Sequence, residues 1–265
     1  MRGSIRAGAV IVGLAATMVA APQPAEAAHR TAWHVTIKAS KTTVTLGNKA
    51  VFTGHVNKGA AGKLVTLQER HTPDGPWRNQ GNALVHRDGG YKTSDTPSVN
   101  KRRYYRVVMP ATRRHKRGVS PTVVVDVYKW TSLTQLPAVN QVDFDPQPSV
   151  SMNGVSYPSS LEAEIYHYTG APTAQSVEYN LGHTCTRFRG TFGLSDDSVS
   201  ASQATVSATA DGTPWFGDTF GVGESTPNQV TFATAPLKIR FDSVSVVDGL
   251  DGLGAVGAPE VYCTQ

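Results

Sequence analysis

The chain has 265 residues, and its 25 Lys or Arg against 20 Asp or Glu give a formal net charge of +5. This length accommodates one large domain or two ordinary ones, each able to bury its own core. The only two cysteines lie apart from any histidine cluster, which argues against a metal ion bound by these cysteines. No apolar run beyond the N-terminal segment is long enough to span a bilayer.

Residues 1–28 are predicted to form a secretory signal peptide. Arg2 and Arg6 precede an apolar run over residues 7–21, and Ala25-Glu26-Ala27 fits the small-x-small pattern that signal peptidase cleaves. A retained membrane anchor would need a longer run, and two prolines follow this one. We therefore expect a secreted, extracellular protein that has no transmembrane segment and that associates with a cell surface or cell wall through what it binds.

Cys185 and Cys263 are predicted to form a disulfide. An oxidising compartment allows two thiols to pair and to stay paired. The bond would close a loop over a sequence separation of 78 residues. In the chain-entropy model, a disulfide that closes a loop of that length stabilises the fold by at most about 4 to 5 kcal/mol.

The charge changes sign along the chain. Residues 29–130 contain 19 Lys or Arg and 5 Asp or Glu, whereas residues 131–265 contain 4 and 14, so the two halves carry +14 and −10. Such a reversal predicts two domains with separate surfaces. We expect a basic domain at 29–130 and an acidic domain at 149–265, joined by a Pro-rich linker or edge segment at 131–148.

The basic half is predicted to be a β-sandwich. Short alternating or β-branched runs, from WHVTIKAS to TVVVDVY, recur about every ten residues between Gly, Pro, Asn and Asp. Asp88-Gly89-Gly90 lies between two runs and predicts a hairpin, since glycine supplies the positive φ of a tight turn. Seven or so strands in about 100 residues fit the dimensions of an immunoglobulin-like sandwich.

The order of GKLVTLQER, GPWRNQGNALVHRDGGYKT, RRYYRVV and SPTVVVDV resembles that of the immunoglobulin-like domains found in secreted bacterial proteins. The resemblance covers nearly all of residues 33–128. It implies that Trp77, Tyr91 and Tyr105 fill the core or a corner of the sandwich.

Eight Lys or Arg fall within the seventeen residues of KRRYYRVVMPATRRHKR, Lys101 to Arg117. Because an exported protein rarely meets nucleic acid, the polyanions expected here are teichoic acid, acidic polysaccharide or anionic lipid headgroups. A solvated hairpin tip explains the run equally well, and association with the acidic half is a third interpretation. The candidate polyanion-binding residues are Lys101, Arg102, Arg103, Arg113, Arg114, Lys116 and Arg117.

The acidic half is also predicted to be all-β. Its strand-like runs include QSVEYNLG, CTRFRGTFGL, SQATVSATAD, NQVTFATA and LKIRFDSVSVVDG. Asp211-Gly212 predicts a hairpin between two of its strands. The stretch LEAEIYHY, residues 161–168, fits either a short helix or a strand.

The acidic half resembles the NPCBM type of carbohydrate-binding module. The resemblance rests on the turn at Asp211-Gly212, on the terminal AVGAPEVYC and on these residues between 179 and 197: Tyr179-Asn180-Leu181-Gly182, Arg187-Phe188, Gly190, Gly193 and Asp196-Asp197. The resemblance covers residues 145–263 and implies a galactose-binding-like β-sandwich, or jelly roll. The sequence departs from the family near the closing strand. There the family commonly has a tryptophan two residues before the proline, and this chain has Gly257.

Sugar recognition combines aromatic faces, which stack on the apolar side of a sugar ring, with polar groups that hydrogen-bond the hydroxyls. The acidic half offers both kinds of group in or next to its expected loops. Trp215 follows a turn glycine, so half-buried packing is an alternative role for it. The candidate ligand-binding residues are Tyr157, His167, Tyr168, Asp196, Asp197 and Trp215.

Asp196 and Asp197 are also candidate ligands of a structural calcium ion, because hard cations bind several oxygen atoms and an exported protein meets calcium. Solvated turn residues explain the pair equally well, since the spacing of acids does not fit an EF-hand loop. Apart from this ion, no cofactor is expected.

The sequence lacks the motifs of several common catalytic sites: it contains no G-x-S-x-G elbow, no Gly-rich phosphate loop and no H-E-x-x-H string. We therefore expect a chain that is not an enzyme and that holds glycan or cell-wall carbohydrate through its C-terminal sandwich. The alternative is a surface-interaction or structural protein. In that case the basic domain attaches to anionic polymers and the sandwich contacts protein.

Overall fold

The computed structural model describes residues 30–164, 174–247 and 249–265, and these residues form an all-β structure with one 3-10 turn, Leu133–Gln135. None of them belongs to a helix long and apolar enough to cross a membrane. The strands are β1 (Lys38–Ala39), β2 (Thr43–Thr45), β3 (Ala50–His55), β4 (Leu64–Arg70), β5 (Arg78–Leu84), β6 (Gly90–Asp95), β7 (Arg103–Met109), β8 (Gly118–Val119), β9 (Val123–Ser132), β10 (Ala138–Val142), β11 (Phe144–Met152), β12 (Val155–Ala163), β13 (Gln175–Asn180), β14 (Cys185–Leu194), β15 (Gln203–Ala210), β16 (Thr213–Gly221), β17 (Ser225–Thr231), β18 (Lys238–Ser245) and β19 (Gly254–Cys263).

The first nine strands pack as two sheets around one core. A three-stranded sheet in the order β1-β3-β6 packs against a sheet in which β9, β7, β4 and β5 are neighbours, β2 joins β9 in parallel and β8 joins β7. Alternate side chains of β4 and β7 point inward, because successive residues of a strand face opposite sides of the sheet. The largest fully buried side chains of this core are Phe52, Leu67, Tyr105 and Met109.

β10 to β19 build a second sandwich. A five-stranded sheet in the order β10-β13-β18-β15-β16 packs against one in which β11, β12, β19, β14 and β17 are neighbours in that order. The second core is rich in aromatic rings: Phe188, Phe192 and Phe241 are fully buried, with ring centroids 5.5 to 6.1 Å apart. The two cores share no residue, so each half packs around its own interior.

β9 and β19 join the two halves through backbone hydrogen bonds. β9 pairs with β7 over residues 123–125 and with β19 over residues 129–132. The predicted disulfide, Cys185–Cys263, is formed and links β14 to β19 at directly opposed positions. One strand therefore continues from the sheet of the first half into the sheet of the second.

The turn at Asp88-Gly89-Gly90 was predicted to be a hairpin, and the structure corrects this. β5 pairs with β4 and β6 pairs with β3, so the turn carries the chain from one sheet to the other. Gly89 has a φ of 88°, and a Cβ there would lie 2.5 Å from the His55 ring. Asp211-Gly212 does form a two-residue hairpin, between β15 and β16.

The aromatic residues assigned to packing in the first half have two different positions. Tyr91 and Tyr105 are buried in the core, and burial raises the pKa of both hydroxyls. Trp77 lies outside the core. It is half-buried, and the guanidinium groups of Arg70 and Arg106 lie 4.4 and 4.0 Å from its ring centroid.

Residues 131–148, expected to be a linker or edge segment, contain the end of β9, the 3-10 turn, β10 and the start of β11. β10 and β11 each lie at the edge of a sheet. Pro146 and Pro148 in β11 suit an edge position, because proline has no N–H to donate to a second neighbour. The ambiguous stretch at 161–168 begins inside β12, which ends at Ala163, and its last residues lie outside the described part of the chain.

Candidate functional site

β19 changes its neighbour part-way along its length. It pairs with β12 at residues 255 and 256 and with β9 over residues 260–263, and on that side no described strand pairs with residues 257–259. The register with β14, on the other side, shifts at the same level. Ala258 lies in this bulge with a φ of 45°, a value uncommon for a residue other than glycine.

A surface groove of about 390 Å³ opens at the bulge. Sites for small ligands range from roughly 300 to 1,000 Å³, so the groove has room for a ligand the size of a mono- or disaccharide unit. β12, β14, β17 and β19 supply its walls. Its lining residues are Tyr157, Arg189, Gly190, Thr191, Pro227, Asn228, Gln229, Gly257, Ala258 and Glu260.

Tyr157 lies against the backbone of Gly257. A Cβ on Gly257 would come within 2.6 Å of the Tyr157 ring, so only glycine leaves room for this aromatic side chain. The hydroxyl of Ser160 donates to the Tyr157 carbonyl at 2.8 Å and accepts from the Ala258 amide at 3.3 Å. This bridge holds β12 against the bulge, and the half-buried Tyr157 keeps part of its side chain accessible.

Arg189 and Glu260 form an ion pair at the groove. Nε of Arg189 donates to the Glu260 carboxylate at 2.7 Å, and the guanidinium lies 4.3 Å from the ring centroid of Trp130. The two charged side chains are 47% and 30% exposed, so a ligand can reach them. Gln229 is directly opposite Arg189 on β17, and Thr191 follows on the same face of β14. The groove thus combines one aromatic side chain with charged and polar groups.

Among the predicted ligand-binding residues, Tyr157 lies in this groove. Trp215 does not: its indole packs against the second core, with the ring centroid 5.0 Å from that of Phe188. Trp215 therefore packs against the core, which is the alternative role predicted for it. His167 and Tyr168 lie outside the described residues.

Asp196 and Asp197 lie between β14 and β15, and the side chain of Asp196 contacts the turn between β11 and β12. The two carboxylate oxygens of Asp196 accept the backbone amides of Asn153 and Gly154, each at 2.9 Å. Asp197 is exposed. In the described part of the chain, no three His, Cys, Asp or Glu side chains are grouped so as to hold a metal ion. Asp196 has a structural role at this turn, and the calcium ion stays a prediction.

The candidate polyanion-binding residues are divided between the two ends of β7. Arg103 is buried and ion-paired with Glu69, so its charge is not offered to an external polymer. Arg102 is ion-paired with Asp126 at 2.7 Å. Lys101 is exposed at this end of the strand. At the other end, roughly 20 Å away by the rise of a strand, the exposed side chains are Arg113, Arg114, Lys116 and Arg117.

The charged and polar residues that line the groove beside Tyr157 were not predicted from the sequence. Arg189, Thr191, Gln229 and Glu260 occupy ordinary strand positions, and the change of neighbour along β19 brings them together. The sequence signal for this change is Gly257-Ala258-Pro259 within a strand, since glycine and proline in a strand interior mark bulges.

No protein-family model matches the chain, and no curated protein matches it. Seven chains of solved structures match. One of them, titled "Structure of allantoicase", is 8% identical, covers 82% of this chain and 78% of that chain, and has a TM-score of 0.28. The matched structure is that of an enzyme, which contradicts the expectation of a chain that is not an enzyme, and we withdraw that expectation. A match with this TM-score assigns no activity to the chain.

Proposed function

We propose that this chain is an exported protein that binds glycan or cell-wall carbohydrate through the groove at Gly257. The observation that carries the proposal is the position of Tyr157, an aromatic side chain held beside the Arg189–Glu260 ion pair in a groove of about 390 Å³. Aromatic rings pack against the apolar face of a sugar, and charged or polar groups hydrogen-bond its hydroxyls.

The aromatic group of this groove belongs to β12 and not to the closing strand. Residues 145–263 resemble carbohydrate-binding modules that commonly have a tryptophan at the position of Gly257. Here the missing side chain at Gly257 leaves the space that the Tyr157 ring fills. We infer that the groove obtains its aromatic surface from a different strand and still offers polar groups for hydroxyls.

The first half is assigned to an immunoglobulin-like domain that carries the second. Support comes from the sheet β1-β3-β6 packed against β9, β7, β4 and β5, with β2 parallel to β9. Export is supported by the signal-like residues 1–28 and by the disulfide between Cys185 and Cys263, since disulfides persist in oxidising compartments.

A glycan array in low and high salt tests the proposal. The purified protein is expected to bind defined neutral glycans saturably, with affinities that change less than about twofold between low and high salt, because contacts with an uncharged ligand are weakly screened. Retention only on charged probes, abolished by high salt, would contradict the proposal.

Tyr157→Leu tests the groove itself, because leucine keeps an apolar side chain and removes the aromatic face. We expect array binding to weaken about tenfold. Val155→Ala is the matched control: Val155 lies on the same strand, is 50% exposed and does not line the groove, so this variant should bind like the wild type. Wild-type binding by Tyr157→Leu would exclude the groove as the sugar site.

A further inference from the structure

A group of arginines lies on the outer face of the first sandwich. Arg70 of β4 and Arg106 of β7 stack on Trp77, with their guanidinium carbons 4.4 and 4.0 Å from its ring centroid. Arg70 also lies 5.6 Å from the ring centroid of Tyr104. Arg117, which lies just before β8, is close enough to Arg106 for its positive charge to lower the pKa of Arg106. We call Arg70, Trp77, Tyr104, Arg106 and Arg117 the arginine cluster.

The charges of the arginine cluster have no acidic partner among the described residues. No described carboxylate forms an ion pair with Arg70, Arg106 or Arg117, whereas Arg102 and Arg103 at the start of β7 each have one. Burial, with further contributions from Arg117 and Arg70, lowers the pKa of Arg106. Like charges held together in this way are stabilised when an anion binds between them.

We propose that the arginine cluster is a binding site for a phosphodiester polymer. A guanidinium group presents parallel N–H donors that match two phosphate oxygens, which an ammonium group cannot do. Stacking on Trp77 restrains Arg70 and Arg106 before the ligand arrives, and this reduces the entropy lost on binding.

The same geometry disfavours two other ligands. Guanidinium groups already stack on the indole of Trp77, so this ring is not a free platform for a neutral sugar. A planar carboxylate accepts one guanidinium fork, whereas the tetrahedral phosphate presents oxygens in several directions. The cluster lies on the first sandwich and the groove on the second, so this proposal does not depend on the proposed function.

Binding of synthetic poly(glycerol phosphate) tests the proposal, with polyglutamate of matched length as the comparison polymer. Poly(glycerol phosphate) is expected to bind at least about fivefold more tightly than polyglutamate, because guanidinium groups match the tetrahedral phosphate better than the planar carboxylate. Its affinity should fall about 20-fold between 50 and 200 mM salt if three arginines contact phosphates. Equal or tighter binding of polyglutamate would overturn the assignment to a phosphodiester.

Two double variants with the same change in net charge locate the site. Arg70→Gln/Arg106→Gln should weaken binding of poly(glycerol phosphate) about tenfold, whereas Arg113→Gln/Arg114→Gln, at the exposed loop before β8, should change it less than about threefold. Similar losses in the two double variants would show that net charge alone holds the polymer and would overturn the proposal.

Arg70→Lys/Arg106→Lys keeps the charges and the long side chains, so it controls for a variant that fails to fold. We expect a thermal midpoint close to that of the wild type and binding at least about threefold weaker, because lysine lacks the fork. Wild-type affinity in this variant would overturn the proposed recognition of phosphate by guanidinium groups.

Discussion

Gly257 and Ala258 are adjacent residues whose substitution should affect stability differently. Gly257→Ala should lower the free energy of unfolding by about 1 to 3 kcal/mol, because the new Cβ would lie 2.6 Å from the Tyr157 ring and force it away. Ala258→Gly, at a φ of 45°, should change it by less than about 1 kcal/mol, because glycine adopts this conformation without strain. Urea unfolding measures both, and a larger loss in Ala258→Gly would contradict the packing described for Gly257.

Glu162 is a residue at which stability should depend on pH. Burial, offset in part by a hydrogen bond with Ser195 and reinforced by Asp197, raises the pKa of its carboxyl above the ordinary value of 4.5. A group with a raised pKa in the folded state contributes stability at low pH, and this contribution is lost as the pH rises through that pKa. Glu162→Gln should therefore unfold at higher temperature than the wild type at pH 7.

The difference in thermal midpoint between Glu162→Gln and the wild type should shrink as the pH falls toward 4.5 and below. There the Glu162 carboxyl becomes protonated in both the folded and the unfolded state. Thermal midpoints measured from pH 3.5 to pH 8 follow this change. A constant difference over that range, or a less stable variant at pH 7, would show that burial does not control the ionisation of Glu162.

At the scale of the element, β19 determines the architecture of the second half. It pairs with β14, β12 and β9, and Cys263, which forms the disulfide to β14, is also one of the residues that pair with β9. Cys185→Ser/Cys263→Ser should lower the free energy of unfolding by about 2 to 5 kcal/mol, because the bond restricts the unfolded chain over 78 residues.

Urea unfolding of this double variant, with and without reductant, checks the effect of the disulfide. Reductant should lower the midpoint of the wild type to that of the variant and leave the variant unchanged. Equal midpoints for the oxidised wild type and the variant would mean that the strand pairing alone fixes β14 and β19.

Most strands could be predicted from the sequence, because alternation and β-branched composition depend on the strand itself. The partner of each strand could not. The turn at residues 88–90 has the composition of a hairpin, yet it connects two sheets. Ala83 of β5 and Tyr91 of β6 pack on the same core from these two sheets. β11 and β12 contain prolines that weaken the strand signal. β11 is an edge strand, and Pro158 of β12 pairs with β11 alone, so each proline lies where no second neighbour needs its N–H.

The groove could not be predicted from the sequence, for a related reason. Tyr157 could be proposed as a ligand-binding residue by its type and position, but Arg189 and Glu260 acquire a role only through the register of β14 with β19. Trp215 has the residue type of a sugar platform, and its position in the aromatic core is a property of the packed sandwich.

At the scale of the whole molecule, the chain presents two different surfaces on a connected frame. The first sandwich has arginines that form no ion pair with a described carboxylate, and the second has a groove with an aromatic wall and an ion pair. β9 extends from one sheet into the other, so the two surfaces are joined by a continuous strand. The two proposals together predict a protein that binds an anionic polymer through one sandwich and a neutral glycan through the other.

The central claim is that carbohydrate binds beside Tyr157. Its most direct test is a crystal structure of the protein with the tightest-binding oligosaccharide from the glycan array. The account predicts sugar density in the groove, with one ring against Tyr157 and hydroxyls within hydrogen-bond distance of Arg189, Glu260 or Gln229. Density at any other surface, with the groove free of sugar, would contradict it.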